Sequence, residues 1–578
     1  MTEPHVGHER RWAILGVLTV CLVVVIMGNT ILNVALRRIQ EDLQATQGEL
    51  QWAVDAYILV FAGLLFTWGV LGDRFGRRLV LVGGLAIFTI ASIFAAYADT
   101  ALELIVWRAL MGVGGAAVQP ATLAVITNIF PTGERGKAIG VWAGTSGLAI
   151  AVGPMAGGFL LEHFWWGSVF LLNVPIAIAG LILSLWLVPE SRDPHPGRID
   201  VGGVLLSIAA LGLLVFGLIR GGEGDGWLRL TVLGPALGGL LLLALFIYTQ
   251  RRSTSPALDV TLFGNPSFSS AAAALGLVFF ALLGATFFLV FYLQGVREYS
   301  PLQSGAVLLP VAIAIAIFAP RSSTLVVRYG AKAVTTVGML VIAASFGGFV
   351  FLQESTPLWI LLVLLFVQGV GMGNTMAPAT ESIMSVVPRE KAGAGSAVNN
   401  SVRQVGGALG VAILGSLLNS LYSSRVTPAL SGLSAQQADT ASESLVGALS
   451  MAESKAAEVA ELSAGVADGS AQAADLARAE DQLRQLGAVV DPAKDAFVSA
   501  MHVTSIATCV VVLVAALIVA VWLPGRQVNH ESPTQRRKLL GDKEYDSRWM
   551  AGHESGTSDP DLPGEVVVDL SDVPWDSR

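Results

Sequence analysis

The sequence predicts an all-α membrane protein that crosses the bilayer fourteen times. Hydrophobic residues make up 53% of the 578 residues and charged residues only 13%, whereas a typical soluble domain carries about 25% charged residues. The apolar residues also gather in runs of roughly 20 residues, which is the length that an α-helix needs to cross the hydrocarbon core. These two observations together favour a polytopic membrane protein over a soluble domain.

The fourteen predicted spans are apolar runs separated by polar turns. Their approximate bounds are 12–36, 50–71, 79–97, 102–129, 138–161, 167–188, 201–219, 229–249, 268–294, 303–325, 333–353, 357–385, 394–421 and 498–523. The first span is too long for a signal-peptide core, and no cleavage signature follows it. The two cysteines, Cys21 and Cys509, both fall inside spans, so we expect no disulfide framework.

Basic residues predict the orientation of the chain. With the N-terminus inside, the short inner segments hold fifteen Lys and Arg residues and the short outer loops hold five. The positive-inside rule therefore places both termini in the cytoplasm.

The sequence repeats at an offset of eight spans. The run Arg-Phe-Gly-Arg-Arg at 74–78 returns as Arg-Tyr-Gly-Ala-Lys at 328–332, and the glycines and prolines of 112–122 return at 369–380. Chance similarity between apolar segments does not easily place turn glycines and prolines in register. Spans 1–6 therefore correspond to spans 9–14, with spans 7 and 8 inserted. Two six-helix halves around a midplane cavity are the usual plan of a secondary transporter.

The repeat also predicts the domain boundaries. We expect a cytoplasmic N-terminus at 1–11, a first half at 12–188, two inserted helices with their loops at 189–267, a second half at 268–523 and a disordered cytoplasmic tail at 524–578. A long extracellular loop, 422–497, interrupts the second half. Its residues are mainly Ala, Glu, Asp, Gln and Ser, a composition compatible with helical pieces or with disorder. For this loop and for the tail, a solvated spacer is favoured over a partner-binding role.

The turn between spans 2 and 3 concentrates charge and glycine. It contains Gly72, Asp73, Arg74, Gly76 and Arg77. The glycines allow a tight turn and close backbone approach, and the charges can hold neighbouring helix ends together. We therefore predict a gating loop. It is asymmetric, because Val327 stands at the position of Asp73 in the second half. A solvated loop without a switching role is the alternative.

Several motifs, taken in order, resemble those of the major facilitator superfamily and of its fourteen-span drug/proton antiporter group. The run 69–78 resembles the loop 2–3 motif, Arg108 with Gly112 resembles the fourth-helix motif, and 29–36 resembles the first-helix motif of the group. The fifth-helix motif associated with antiporters is matched by Gly144, Gly147, Gly153, Pro154, Gly157 and Gly158. The resemblance covers about 12–421 and 498–523, and it implies export of amphipathic compounds driven by inward proton flow.

Three positions depart from the family pattern. Gly28 stands where the first-helix motif usually has an acid, Arg37 stands where it usually ends in Pro, and Asn400 stands where related sequences often carry Asp. Gly28 removes a proton carrier, so the coupling mechanism of the family does not transfer directly to this chain.

Charged residues inside spans mark function by default, because a charge in hydrocarbon costs several kcal/mol. Arg108 in span 4 and Asp55 in span 2 lie at similar depth, near Asn29 and Asn33 of span 1. The resemblance implies that Arg108 supports proton coupling, and we predict that Asp55 takes over part of the role of the missing acid. The alternative for Asp55 is that it caps or hydrates a helix end. Asn29 and Asn33 are candidate cavity residues.

A second charged set consists of Glu381 in span 12 and Arg403 in span 13. Either the two side chains pair and neutralise each other, or Glu381 faces the cavity and binds protons or a cationic substrate. Arg403, Phe287 and Phe291 are further cavity candidates, although an aromatic stripe more often faces lipid or neighbouring helices.

The glycines of span 5 have a packing explanation. Gly153 and Gly157 lie four residues apart and share a helix face, which permits close helix contact. Pro154 removes a backbone donor and kinks the helix. We therefore predict a tight, bent contact between the halves that resists leak.

The leading interpretation is an exporter of amphipathic drugs or toxic compounds that works by proton antiport with alternating access. The alternatives are export of a lipid or endogenous metabolite, such as an antibiotic, and a non-transporting membrane sensor. The sequence has no Walker-type loop, and its seven His residues lack metal-ligand spacing. We therefore expect no enzyme activity, no cofactor and no metal. We also expect a monomer in the inner (plasma) membrane that handles a small amphipathic substrate and protons and binds no nucleic acid.

Overall fold

The computed structural model describes residues 9–45, 47–193, 200–222, 229–253, 260–468 and 472–524. The predicted tail lies almost wholly outside these residues, as do the side chains of Asn29, Asn33 and Pro154. The α-helices are α1 (Arg11–Thr30), α2 (Leu32–Leu43), α3 (Gln47–Phe75), α4 (Arg77–Ala96), α5 (Ala101–Ile129), α6 (Thr132–His163), α7 (Ser168–Leu171), α8 (Asn173–Leu187), α9 (Val201–Gly222), α10 (Leu230–Arg252), α11 (Pro266–Phe291), α12 (Pro301–Val307), α13 (Leu309–Tyr329), α14 (Ala331–Phe349), α15 (Leu358–Val386), α16 (Ala392–Val426), α17 (Ala435–Glu443), α18 (Leu445–Asp468) and α19 (Ala473–Trp522).

The helices account for the predicted spans. Thirteen segments of the described chain are long and apolar enough to cross a membrane, and α6, with 32 residues, supplies the fourteenth span of the prediction. Helix ends follow local chemistry. The Thr100 side chain accepts a hydrogen bond from the Glu103 N–H at the start of α5, and Ser300 and Gln303 form a capping box at α12.

The internal repeat is visible in the packing. In the first half α5 packs on α3 and α4, and in the second half α15 packs on α13 and α14. Gly76 and Gly330, at matching turns, both have positive φ values of 123° and 84°, a conformation that favours glycine. A Cβ at Gly84 would lie 2.8 Å from the Gly114 carbonyl oxygen, and one at Gly338 would lie 2.9 Å from that of Gly371. The prediction of two related helical halves is confirmed.

The two halves meet through matching helices. The first half presents α6 to α13, and the second half presents α16 to α3. The inserted helices α9 and α10 pack on each other, and α9 also contacts α3 and α16. The insertion therefore lies along the α3–α16 seam. The domain boundaries themselves stay predictions.

The loop predicted at 422–497 is mostly helical in the residues that the structure describes. It comprises α17, α18 and the first part of α19, which continues without a break into the last span over 50 residues. The Tyr422 hydroxyl donates to the Ala441 carbonyl. Lys494 lies 2.6 Å from a carboxylate oxygen of Glu298 and 3.4 Å from one of Glu354, so these helices are anchored on the second half. Of the two alternatives that the composition allowed, helical structure is the one observed.

Candidate functional site

The turn between α3 and α4 connects the two halves. It lies at the end of the bundle that also carries the α5–α6 and α15–α16 turns, called here the basic end because these turns carry many Lys and Arg residues. Asp73, only 7% exposed, accepts hydrogen bonds from the backbone N–H groups of Gly393 at 2.8 Å and Ala394 at 2.9 Å. These donors belong to the first turn of α16, where free N–H groups and the helix dipole favour an anion.

Arg77 completes this connection. Its guanidinium lies 2.8 Å from the Asp73 carboxylate and donates to the backbone carbonyls of Arg389 and Glu390 at 2.8 and 3.0 Å. The Arg77 residue is 2% exposed. We call this set, Asp73 and Arg77 with residues 389–394, the basic-end contact. It ties the first half to the second by four hydrogen bonds of Asp73 and Arg77 to backbone groups.

The other predicted residues of the turn lie beside this contact. Gly76 supplies the positive φ of the turn. A Cβ at Gly72 would meet nothing closer than Val80 at 3.9 Å, so space does not require a glycine there. The Arg74 guanidinium lies 5.8 Å from the Phe75 ring centroid. Sequence reasoning missed Glu190, whose carboxylate accepts the backbone N–H groups of Arg78 and Leu79 at the start of α4.

Gly69 is a second residue that sequence reasoning left without a role. A Cβ there would lie 2.8 Å from the Cβ of Ala397 on α16. The absence of a side chain therefore lets α3 and α16 approach closely next to the basic-end contact.

Glu381 lies at the basic end and faces the first half. The charge of its carboxylate attracts Arg135 of α6 at a distance longer than that of an ion pair, whereas Arg389 repels the same guanidinium. A Cβ at Gly136 would overlap the Glu381 carboxylate. The pairing with Arg403 that the sequence allowed is not found in the described structure. Arg403 lies eleven residues beyond the start of α16, about 16 Å along the helix at 1.5 Å per residue. Sequence reasoning missed Arg135 because it counted that residue among the loop charges.

Arg108 is fully buried within the first half. Its guanidinium donates to the backbone carbonyls of Gly28 at 2.8 Å and Ala53 at 3.0 Å, and it lies 4.5 Å from the ring centroid of Tyr57. The third nitrogen, Nη2, has no hydrogen-bond partner among the described residues. Arg108 therefore links α5 to α1 and α3, and Asp55 lies half-buried on α3 two residues after Ala53.

Several glycines of α6 lie in the seam with α13. A Cβ at Gly144 would lie 3.0 Å from the Cα of Ala316, and one at Gly147 would lie 3.1 Å from the Ile315 side chain. Gly157 instead contacts Ile31 within its own half, and Gly158 has Leu302 of α12 at 3.6 Å. Gly153 is buried. Sequence reasoning missed Gly140, where a Cβ would lie 2.7 Å from the Cα of Pro320.

An apolar cavity of about 60 Å³ lies between α6 and the second half. Its polar lining groups come from Thr286 and Gln368, and the rest of the lining is Gly147, Leu282, Leu283, Ala285, Leu289, Leu308, Val311, Ala312, Ile315, Phe349 and Leu365. Phe287 and Phe291 form an edge-to-face pair at 5.0 Å. Their part in a substrate site stays a prediction.

Arg403 lies between aromatic rings of both halves. Its guanidinium is 4.3 Å from the ring centroid of Phe279 on α11 and 5.5 Å from that of Trp142 on α6. The Trp142 indole N–H donates to the Thr122 hydroxyl at 3.2 Å, which fixes the ring in place.

Comparison with known proteins agrees with this architecture. The family model described as the Major Facilitator Superfamily matches residues 18–411. The multidrug efflux pump LfrA of Mycolicibacterium smegmatis is 36% identical over 514 residues, covering 89% of this chain and 96% of LfrA. The methyl viologen resistance protein SmvA of Salmonella typhimurium is 36% identical over an alignment that covers 77% of this chain and 90% of SmvA. The tetracenomycin C resistance and export protein of Streptomyces glaucescens is 35% identical over an alignment that covers 71% of this chain and 76% of that protein.

Solved structures share the fold. The human organic anion transporter MFSD10 superposes with a TM-score of 0.53 at 16% identity, covering 71% of this chain and 94% of MFSD10. The proton:xylose symporter XylE superposes with a TM-score of 0.51 at 14% identity, and the superposition covers 70% of this chain and 88% of XylE. Because the family model spans most of the chain and relatives above 30% identity align along it, this protein belongs to the Major Facilitator Superfamily.

Proposed function

We propose that this protein is a secondary active transporter that exports amphipathic drugs or toxic compounds by proton antiport with alternating access. Family membership makes it a multi-pass membrane transporter rather than an enzyme. The relatives include proteins named for multidrug efflux and for antibiotic resistance and export, which supports drug-like cargo. We place it in the cell inner membrane as a monomer with both termini in the cytoplasm, as the distribution of basic residues favours.

The observation that carries the proposal is the basic-end contact. Asp73 and Arg77 of one half bind backbone groups at the start of α16 in the other half. These are polar contacts between two packed bodies, and water can replace them when the bodies separate. Alternating access requires such a reversible closure at each end of the cavity. We infer that this contact closes the basic end in the described state.

The protonation state of Glu381 can influence this closure. When ionised, the carboxylate on α15 attracts Arg135 on α6 and draws the halves together at the basic end. A proton on Glu381 removes that attraction and favours opening. Protons that arrive from the opposite side would thus reset the transporter to face the cytoplasm, the direction that antiport of a drug requires. Arg108 and Asp55 are the proposed coupling residues at the other end.

The test is drug efflux from proteoliposomes that contain the purified protein. An imposed pH gradient should accelerate efflux of an amphipathic dye, and an ionophore that collapses the gradient should remove the acceleration. Equal efflux with and without the gradient would overturn proton coupling while leaving export intact. No efflux of any amphipathic compound would overturn the function itself.

A further inference from the structure

Arg403 is a buried cation that has no counter-charge among the described residues. It is 7% exposed. No carboxylate of the described residues pairs with it. The rings of Phe279 and Trp142 attract the guanidinium and offset part of the cost of burying it, but an unpaired buried charge costs more than such ring contacts supply. The described residues therefore hold a positive charge for which they supply no negative partner.

Unpaired polar groups accompany Arg403 on α16. Asn399 is fully buried, and neither its amide nitrogen nor its oxygen has a hydrogen-bond partner in the described structure. Ser396 is also fully buried with an unpartnered hydroxyl. Residues four and seven positions apart share one helix face, so these groups lie on the same side of α16 as Arg403. Buried polar groups without hydrogen-bond partners destabilise a folded protein, so their presence here requires an explanation.

The apolar cavity begins one helical turn away. On α11, Phe279 precedes the lining residues Leu282 and Leu283 by one turn. On α16, Gly407 follows Arg403 by one turn, and a Cβ there would overlap the Leu283 side chain. The cation, the aromatic rings and the apolar cavity therefore follow one another along the interface between the halves.

We propose that Arg403, Asn399, Phe279 and Trp142, called here the Arg403 cluster, form the anion-binding end of the substrate site. The preferred substrates are amphipathic aromatic molecules that carry one anionic group, such as a carboxylate or phenolate. The anionic group binds the guanidinium and the Asn399 amide, and the apolar body extends toward the cavity lined by Leu283 and Ile315. This cavity of about 60 Å³ widens to hold the ring system, because a cavity that binds benzene measures about 150 Å³. This inference rests on the proposed export function and assigns its substrate class.

A matched series of ligands tests the charge preference. The purified protein, in nanodiscs of phosphatidylcholine, is titrated calorimetrically with 2-naphthoate, 2-naphthamide and 2-naphthylmethylammonium. These probes share one ring system and differ mainly in charge. Because hydrogen bonds to charged groups are stronger than neutral ones, we expect naphthoate to bind about tenfold or more tightly than naphthamide. Equal binding of the two, or tightest binding of the ammonium probe, would overturn the inference.

Variants locate the preference at Arg403. Arg403→Gln should bring the ratio of the two dissociation constants close to one, and Arg403→Lys should keep part of the preference. Arg321→Gln is the control, because it removes a positive charge from an exposed side chain of α13 and should leave the ratio unchanged. If Arg403→Gln does not fold, the wild-type series and Arg403→Lys still decide the question.

Addition of phosphatidylglycerol to the nanodiscs asks whether a lipid headgroup fills the anion site. A large loss of naphthoate affinity would assign the site to lipid and overturn the substrate assignment, and an unchanged affinity supports it. Efflux measured on the same preparation separates the Arg403 assignment from the export function. Efflux of cationic dyes without an anion preference refutes only the Arg403 assignment, whereas absence of all efflux refutes the function.

Discussion

The ring of Phe88 occupies the space that a side chain at Gly28 would need. A Cβ at Gly28 would lie 2.6 Å from Cζ of this ring, and Phe88 is fully buried on α4. The acid that the family pattern places at this position therefore has no room here. Its neighbours remain polar, since the Asn173 amide nitrogen lies 3.6 Å from the same Cβ position and the Arg108 guanidinium binds the Gly28 carbonyl.

We predict that Gly28→Asp destabilises the protein and that Phe88→Ala partly rescues it. Overpacking a buried site costs about 1–3 kcal/mol, and the smaller side chain frees the space that the carboxylate needs. Thermal unfolding of the two single variants and the double variant in detergent measures the coupling between the positions. Strictly additive effects would show that the ring is not the obstacle.

Removal of the Asp73 charge should impair transport. Asp73→Asn replaces charge-assisted hydrogen bonds to Gly393 and Ala394 by weaker neutral ones, a difference of about 1–2 kcal/mol. We expect drug efflux to fall about tenfold as the closed basic end loses stability. Gly72→Ala, in the same turn, is the matched control, because its Cβ has 3.9 Å of clearance. Similar losses in both variants would contradict a specific role for the charge.

Bulk in the α6–α13 seam should block the cycle. Gly140→Val places its Cβ 2.7 Å from the Pro320 Cα, and backbone at that distance cannot move aside cheaply. We expect efflux to be lost in this variant. Gly158→Ala, with 3.6 Å to Leu302, should retain efflux close to the wild type. The measurement is dye efflux per folded molecule, with folding checked by gel filtration, and active Gly140→Val would contradict the close packing.

Glu381→Gln should imitate the protonated state. Without the carboxylate, the attraction to Arg135 disappears, so the basic end should open more readily. We expect efflux of the variant to respond less to an imposed pH gradient than that of the wild type. The check is the ratio of efflux rates with and without the gradient, and an unchanged ratio would remove Glu381 from the coupling mechanism.

The sequence predicts the helices and the repeat because both depend on local pattern. Apolar runs predict the spans, and the turn glycines Gly76 and Gly330 mark the two halves independently of their packing. The role of Asp73 and Arg77 in holding helix ends together is also predictable, because charged side chains in a short turn can reach only the neighbouring helix ends. Their partners, the backbone groups of residues 389–394, become visible only when the halves are assembled.

The sites that sequence reasoning missed depend on contacts between distant helices. Nothing near Glu381 in the chain indicates that it faces Arg135, and equal depth in neighbouring spans wrongly suggested Arg403 as its partner. The Phe88 ring at Gly28 is 60 residues away along the chain. The sequence alone does not decide between helix and disorder for the Ala-rich loop at 422–497. Its helices are held by tertiary contacts, such as the hydrogen bond that the Tyr422 hydroxyl donates to the Ala441 carbonyl.

The unbroken course of α19 has a mechanical consequence. At 50 residues it is about 75 Å long, more than twice the roughly 30 Å of hydrocarbon that it must cross. Lys494, bridged to Glu298 and Glu354, fastens this rod to its own half. Pro492 removes one backbone hydrogen bond of α19 two residues before Lys494, and the Lys494 bridges hold the helix on the second half next to this point. We therefore expect a tilt of that half to displace the N-terminal end of α19 further than the ends of the spans. A label placed near Ala474 would report each turnover as a displacement in the aqueous phase, at a distance from the cargo.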